Sequence, residues 1–146
     1  MGNKPKILID INIILDVLQK REPFYEHSAQ VLASAETGRI IGAVAGHTIT
    51  TLFYLLEKDK NAGLARVAVT ELLKILRVAG IDQQTIEQGL SLAYEDFEDA
   101  VQMMSAAQFG ADYLITRNPK DYKEGPVSTL TPVEFLALFK GEFLEK

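Results

Sequence analysis

Apolar residues follow two rhythms along this chain, short continuous runs and longer stretches at helical spacing, and the two alternate from one end to the other. Lys6 to Ile11 is a nearly continuous apolar run of the kind buried on both faces of a parallel sheet. From Asn12 to Leu18 the apolar residues are too dense for one exposed helix face, so a largely buried helix is expected, ending before Pro23. Glu26 to Glu36 reads as an amphipathic helix with Val31, Leu32 and Ala35 inward and Gly38 as its C-cap. A second apolar run, Arg39 to Ala45, turns at Gly46-His47-Thr48 into a helix bearing Leu52, Phe53, Leu55 and Leu56. Another helix is expected from about Ala62 to Leu73 and a third strand at Ile75 to Val78.

The second half repeats the alternation. A helix is expected from Asp82, as N-cap, to Ala93, and a strongly periodic one from Phe97 to Phe109 that Gly110 ends. Tyr113 to Thr116 is a fourth strand, stopped by Arg117-Asn118-Pro119, and Val127 to Leu130 a weaker fifth. Thr131-Pro132-Val133-Glu134 has the composition of a helix start. Alternating strands and helices define an α/β chain, expected to be a three-layer α/β/α sandwich whose mainly parallel sheet has about four to five strands.

Composition narrows the function classes. The 146 residues suit one domain, and no linker, repeat or low-complexity tract divides them. Without cysteine there is no disulfide framework, thiolate zinc site or cysteine nucleophile. The N-terminal segment is a poor signal peptide and no run spans a bilayer, so a cytoplasmic protein without membrane association is expected. A net charge of -5 argues against holding nucleic acid by diffuse electrostatics, but not against a nucleic-acid enzyme with gathered carboxylates. Arg117 and Lys120 are among the cations left to meet phosphates, although a solvated surface is the ordinary role of such residues.

Residues at the carboxyl ends of strands face the crevice where open α/β sheets bind ligands. That rule makes neighbours of Asp10 and Asn12, the Thr48 to Thr51 segment, Asp96 and Asp99, and Thr116 and Asn118. Asp96 and Asp99 are three apart and would share a helix face. With Asp10 they would form a hard, oxygen-only site suited to Mg²⁺ or Mn²⁺. The plainer alternatives are that Asp10 caps a helix and that the Glu95 to Asp99 cluster serves capping and dipole compensation. His27 and His47 have no sequence partners for zinc or a triad, Ser105 lacks a nucleophile elbow, and no glycine loop cradles phosphate. Asn12 stands where haloacid-dehalogenase-like phosphotransfer needs a second Asp.

Asp10-Ile11-Asn12 after a strand with Asp16 beyond it, Thr48-Ile49-Thr50-Thr51-Leu52 opening a helix, Asp99-Ala100 before an Ala-rich helix, and Ala111 to Asn118 resemble, in that order, the PIN domain as found in VapC-type toxins. The resemblance implies a metal-dependent endoribonuclease, with Mg²⁺ or Mn²⁺ activating water against a phosphodiester. It implies that Asp10 is the first metal-ligating residue with Asn12 in support, that Asp99 is the acidic residue opening the later helix, and that Thr116 and Asn118 complete the site. Asp96 is a further ligand by helical geometry and Asp121 a weaker one. Thr51 occupies the position where the family usually has Glu, and Glu57, about 240° further around a helix, does not replace it.

That departure keeps a second reading open, a PIN-like domain with a degraded site acting as a nucleic-acid-binding or regulatory module. A third is a small-molecule phosphohydrolase. An RNA substrate, a small antitoxin partner and a homodimer are implied by the resemblance alone. The apolar first helices and Phe135, Leu136, Leu138, Phe139 and Phe143 leave room for an interface, though core packing is the commoner use of such residues.

Overall fold

The computed structural model describes residues 4–122 and 125–139. Its element order is β1 (Lys6–Ile9), α1 (Ile11–Leu18), α2 (Tyr25–Glu36), β2 (Ile41–Ala45), α3 (Gly46–Asp59), α4 (Ala62–Ile75), β3 (Arg77–Ala79), α5 (Gln83–Leu90), α6 (Phe97–Phe109), β4 (Tyr113–Ile115), β5 (Ser128–Leu130) and α7 (Pro132–Leu138). A 3₁₀ turn, Pro119–Asp121, links β4 towards β5. The five strands form one sheet in the order β3-β2-β1-β4-β5. Every pairing is parallel, as the alternation requires, with Leu8 opposite Ala43 on one side and Leu114 on the other.

The central strand is apolar on both faces because both faces are covered. Ile7 and Ile9 join residues of α1, α2, α3, α4 and α7 in the larger core. Leu8 points the opposite way, with Ala43, Ala45, Ala79, Leu114 and the α6 residues Met103 and Ala106. The expected three-layer arrangement is therefore realised, with α5 packed on α6 over the second face.

Element ends differ where a cap decides them. The first strand stops at Ile9 because Asp10, in an extended conformation, accepts a hydrogen bond from the Ile11 N–H and starts α1 as its N-cap. Helix α1 ends at Leu18, before Pro23 as expected. Helix α4 runs on to Ile75, which moves β3 two residues beyond the expected start. Helix α6 has the expected bounds, and Gly110 closes it in the left-handed conformation that glycine adopts without strain. Thr131 and Glu134 form a reciprocal capping box at α7. Phe135 is fully buried, so it belongs to the core and not to an interface, while Leu138 is exposed. Phe143 lies outside the described residues.

Candidate active site

Three strand ends and three helix starts meet at one rim. Strand β1 delivers Asp10, β2 leads directly into α3 with Thr48 in its first turn, and β4 ends before Thr116. Helix α6 presents Asp99 from its first turn. Hydrogen bonds show that these segments touch. Thr116 Oγ1 donates to Asp10 Oδ2 at 2.8 Å and accepts from the Asn118 backbone N–H at 3.1 Å. The other oxygen, Asp10 Oδ1, accepts from the Ile11 N–H at 2.8 Å and from Gln102 Nε2 at 3.3 Å.

A buried relay joins Asp10 to Asp99. Thr48 Oγ1 donates to Gln102 Oε1 at 3.1 Å, and the Gln102 amide donates in turn to the Tyr122 hydroxyl. Tyr122 then donates to Asp99 Oδ1 at 3.2 Å. Gln102 lies one turn beyond Asp99 on α6, which puts both on the same side of that helix. Gln102 and Tyr122 are members of this cluster that the strand-end rule does not find. Gln102 has a sequence signal in hindsight, a long polar side chain at i+3 from the acid inside an otherwise apolar helix stretch. Tyr122 has none, because a tyrosine after a turn reads as ordinary core.

Negative charge accumulates here without a basic partner. Burial first, then the charges of Asp96, Asp10 and, least, Asp121, together push the Asp99 carboxyl up to about 6, against the lowering effect of the Tyr122 hydrogen bond. The same burial and the two carboxylates Asp10 and Asp99 hold the Tyr122 hydroxyl well above its ordinary range, so it stays protonated and remains a donor. Among the described residues, no Lys or Arg forms an ion pair with any of these four carboxylates. No group of three His, Cys, Asp or Glu side chains is close enough among them to close a metal shell alone. Two oxygen donors with surplus negative charge fit a hard divalent cation that keeps several of its waters.

The other expected site residues fall into distinct situations. Asp96 is the N-cap of α6, its Oδ1 accepting from the Glu98 and Asp99 N–H groups at 2.8 and 3.4 Å, so it precedes the helix and does not share a helical face with Asp99. Asp10 is also a cap, and the capping and site roles coincide in it. Asn12 is half-buried in the first turn of α1, and Asn118, Lys120 and Asp121 are exposed on the rim after β4. Thr51 is exposed on α3, and it is Thr48, one turn earlier, that reaches inward.

Arg117 corrects the expectation of a free, phosphate-facing cation. Its Nε lies 3.1 Å from Oδ2 of the fully buried Asp16, and its guanidinium stacks over Phe24 at 4.0 Å. Ser28 adds a hydrogen bond to the same Asp16 oxygen at 3.2 Å. Desolvation raises the Asp16 pKa, while Arg117, then Ser28 and Arg21, oppose the rise. Arg117 thus fastens the segment after β4 to α1 and α2.

A parallel sheet in this order, with carboxylates at the ends of its central strand and of the helix packed across it, defines a PIN-type α/β domain. Residues 6–120 match the family described as PIN domain, and the chain belongs to that family. It is similar over 139 residues, at 27% identity, to Ribonuclease VapC1 of Aquifex aeolicus, covering 91% of this chain and 94% of that protein. Among solved structures it resembles a toxin-antitoxin complex from Klebsiella pneumoniae, with 25% identity, a TM-score of 0.66, and coverage of 86% of this chain and 97% of the other. FitAcB from Neisseria gonorrhoeae shares the fold at 20% identity and a TM-score of 0.67, with 87% and 98% covered.

Proposed function

We propose that the chain is a divalent-metal-dependent endoribonuclease, with Mg²⁺ or Mn²⁺ held by Asp10 and Asp99, and the toxin of a toxin-antitoxin pair. The observation that carries this reading is the pair of carboxylates joined by one polar relay and carrying surplus negative charge. It is supported by the likeness to a protein named a ribonuclease and to toxin-antitoxin complexes. When bound, the cation supplies activation of water and offsets charge on the phosphoryl oxygens.

The chain's own residues do the rest. Ile11 N–H, Gln102 and Thr116 fix the Asp10 carboxylate through its two oxygens. Asp96, with one oxygen engaged as a cap, and Asp121 add negative charge near Asp99. Asn12 supports Asp10 from the first turn of α1. Asn118 orients water or the scissile phosphate, and the exposed Lys120 meets the RNA backbone. The partners proposed with this activity are a small antitoxin protein and a second copy of the chain. No helix among the described residues is long and apolar enough to cross a membrane.

The test is cleavage of single-stranded RNA by the wild-type chain and Asp10→Asn, with Mn²⁺, with Mg²⁺ and with chelator. Metal-dependent cleavage lost in the variant is expected; equal cleavage by both proteins would overturn the assignment. One observation favours a second reading, a regulatory or nucleic-acid-binding module. Thr51 leaves the first turns of α3 without a carboxylate, and no third acidic ligand completes a shell among the described residues. RNA binding without cleavage at saturating Mn²⁺ would select that reading.

A further inference from the structure

Three buried polar side chains, Thr48, Gln102 and Tyr122, have no place in an apolar core unless their hydrogen bonds are satisfied. They are satisfied in one direction only. An ionised carboxylate accepts and cannot donate, so the Tyr122 hydroxyl must give its proton to Asp99 and the Gln102 nitrogen must face Asp10. The Gln102 oxygen is then turned towards Thr48, whose hydroxyl supplies the proton it needs. The relay therefore runs from the Thr48 hydroxyl through Gln102 and ends in donors to both acids, Gln102 to Asp10 and Tyr122 to Asp99, and it is anchored in the first turn of α3.

The chemical type of these donors matters as much as their direction. A Lys or Arg in their place would hold the carboxylates equally well, but it would neutralise them and compete with a cation. Gln and Tyr fix the acids and leave their charge available. Asp99 Oδ2 accepts no hydrogen bond from the described residues, so one oxygen of that acid is left open.

We infer that Gln102 and Tyr122 are positioning residues that hold Asp10 and Asp99 at a set separation for one divalent cation, with Thr48 as their anchor. Helix α3 thereby contributes to the site through a neutral hydroxyl and an intervening amide, whereas its exposed Thr51 contributes no ligand. This inference rests on the reading of Asp10 and Asp99 as cation ligands.

The experiment is calorimetric titration of the full chain with MnCl₂ in the absence of RNA, on wild type, Tyr122→Phe, Gln102→Met, Thr48→Val and Asp10→Asn. Circular dichroism checks that each is folded. Tyr122→Phe and Gln102→Met are expected to weaken Mn²⁺ binding by about tenfold or more, the usual cost of losing a hydrogen-bond partner of a metal ligand. Thr48→Val, which touches neither acid, is expected to weaken it in the same direction, and RNA cleavage by these variants should lose kcat with little change in KM. If Gln102→Met does not fold, Tyr122→Phe and Thr48→Val carry the test. Folded variants that bind Mn²⁺ within about twofold of wild type, while Asp10→Asn loses binding, would overturn the positioning role and leave the cation site standing. Undiminished Mn²⁺ binding by Asp10→Asn would overturn both.

Discussion

Arg117 and Asp16 meet at 3.1 Å across the gap between the segment after β4 and helix α1, with the Asp16 side chain wholly out of solvent. One Asp16 oxygen also lacks a hydrogen-bond partner among the described residues, so this ion pair is the main compensation for a buried charge. Replacing Arg117 by Met would strand that charge. Destabilisation by about 3 kcal/mol is expected, the lower end for a broken buried pair because Arg117 is partly exposed. Burial already holds the Asp16 pKa above its ordinary value, and loss of Arg117 removes its largest opposing influence. The penalty should therefore shrink as pH falls and the carboxyl takes up a proton, which urea unfolding at pH 7.5 and pH 5 would reveal.

Asp99 gives a stability effect of the opposite kind. Its folded-state pKa of about 6 lies above the ordinary 3.8, so between those values the native state holds more proton than the unfolded chain. Stability of the metal-free protein consequently falls as pH rises from 4 through 6. Asp99→Asn removes the charge and should raise stability at pH 7.5 by about 1 kcal/mol, the nominal shift being discounted for solvent screening. Thermal unfolding in chelator should show the gain at pH 7.5 and none near pH 4.

Asp10→Asn is expected to lower metal-dependent RNA cleavage by more than about 100-fold, beyond the range for losing an outer hydrogen-bond partner. The fold should survive, since an amide oxygen still caps α1. Single-turnover cleavage assays on protein of verified helicity measure the loss.

Thr116→Val keeps the shape of the side chain and removes one hydroxyl that serves two residues. Asp10 Oδ2 loses its donor and the Asn118 N–H loses its acceptor. A cost of roughly 1–3 kcal/mol in stability and a fall of about 10–100-fold in cleavage are expected. Guanidinium unfolding and RNA cleavage at saturating Mn²⁺ check the two parts separately.

Lys120 contrasts with its neighbour Arg117. It is exposed in the 3₁₀ turn and forms no ion pair among the described residues, so Lys120→Ala should leave stability within about 0.5 kcal/mol of wild type. RNA binding should weaken, and the slope of log affinity against log salt should become shallower by about 0.7. Fluorescence titration of labelled single-stranded RNA at several salt concentrations reads both.

The alternation of apolar runs and helical spacing was enough for the sheet, because a parallel strand covered on both faces has to be apolar at consecutive positions, as Ile7, Leu8 and Ile9 are. Strand ends were legible to within about two residues, and the errors trace to caps whose reach depends on local geometry, as at Asp10 and Leu76. Asp10, Asp99 and Thr116 were legible because topology alone brings strand ends and helix starts to one rim. Gln102 and Tyr122 were not, since their roles depend on which side chains face one another across α6 and the turn after β4. Arg117 was misread for the same reason. A sequence shows a cation, and only the packing shows that a buried acid holds it.

The hydrogen bond between Thr116 and Asp10 joins residues 106 positions apart. In synthesis from the N-terminus, the central strand and its acid therefore emerge long before the residue that fixes that acid in place. Any chain cut before β4 lacks Thr116, Asn118 and Tyr122 together, whatever else of the sheet it retains. The site is thus a property of a chain that extends at least through Tyr122. An incomplete copy, whether stalled on the ribosome or clipped afterwards, would carry the acids without the arrangement that makes use of them.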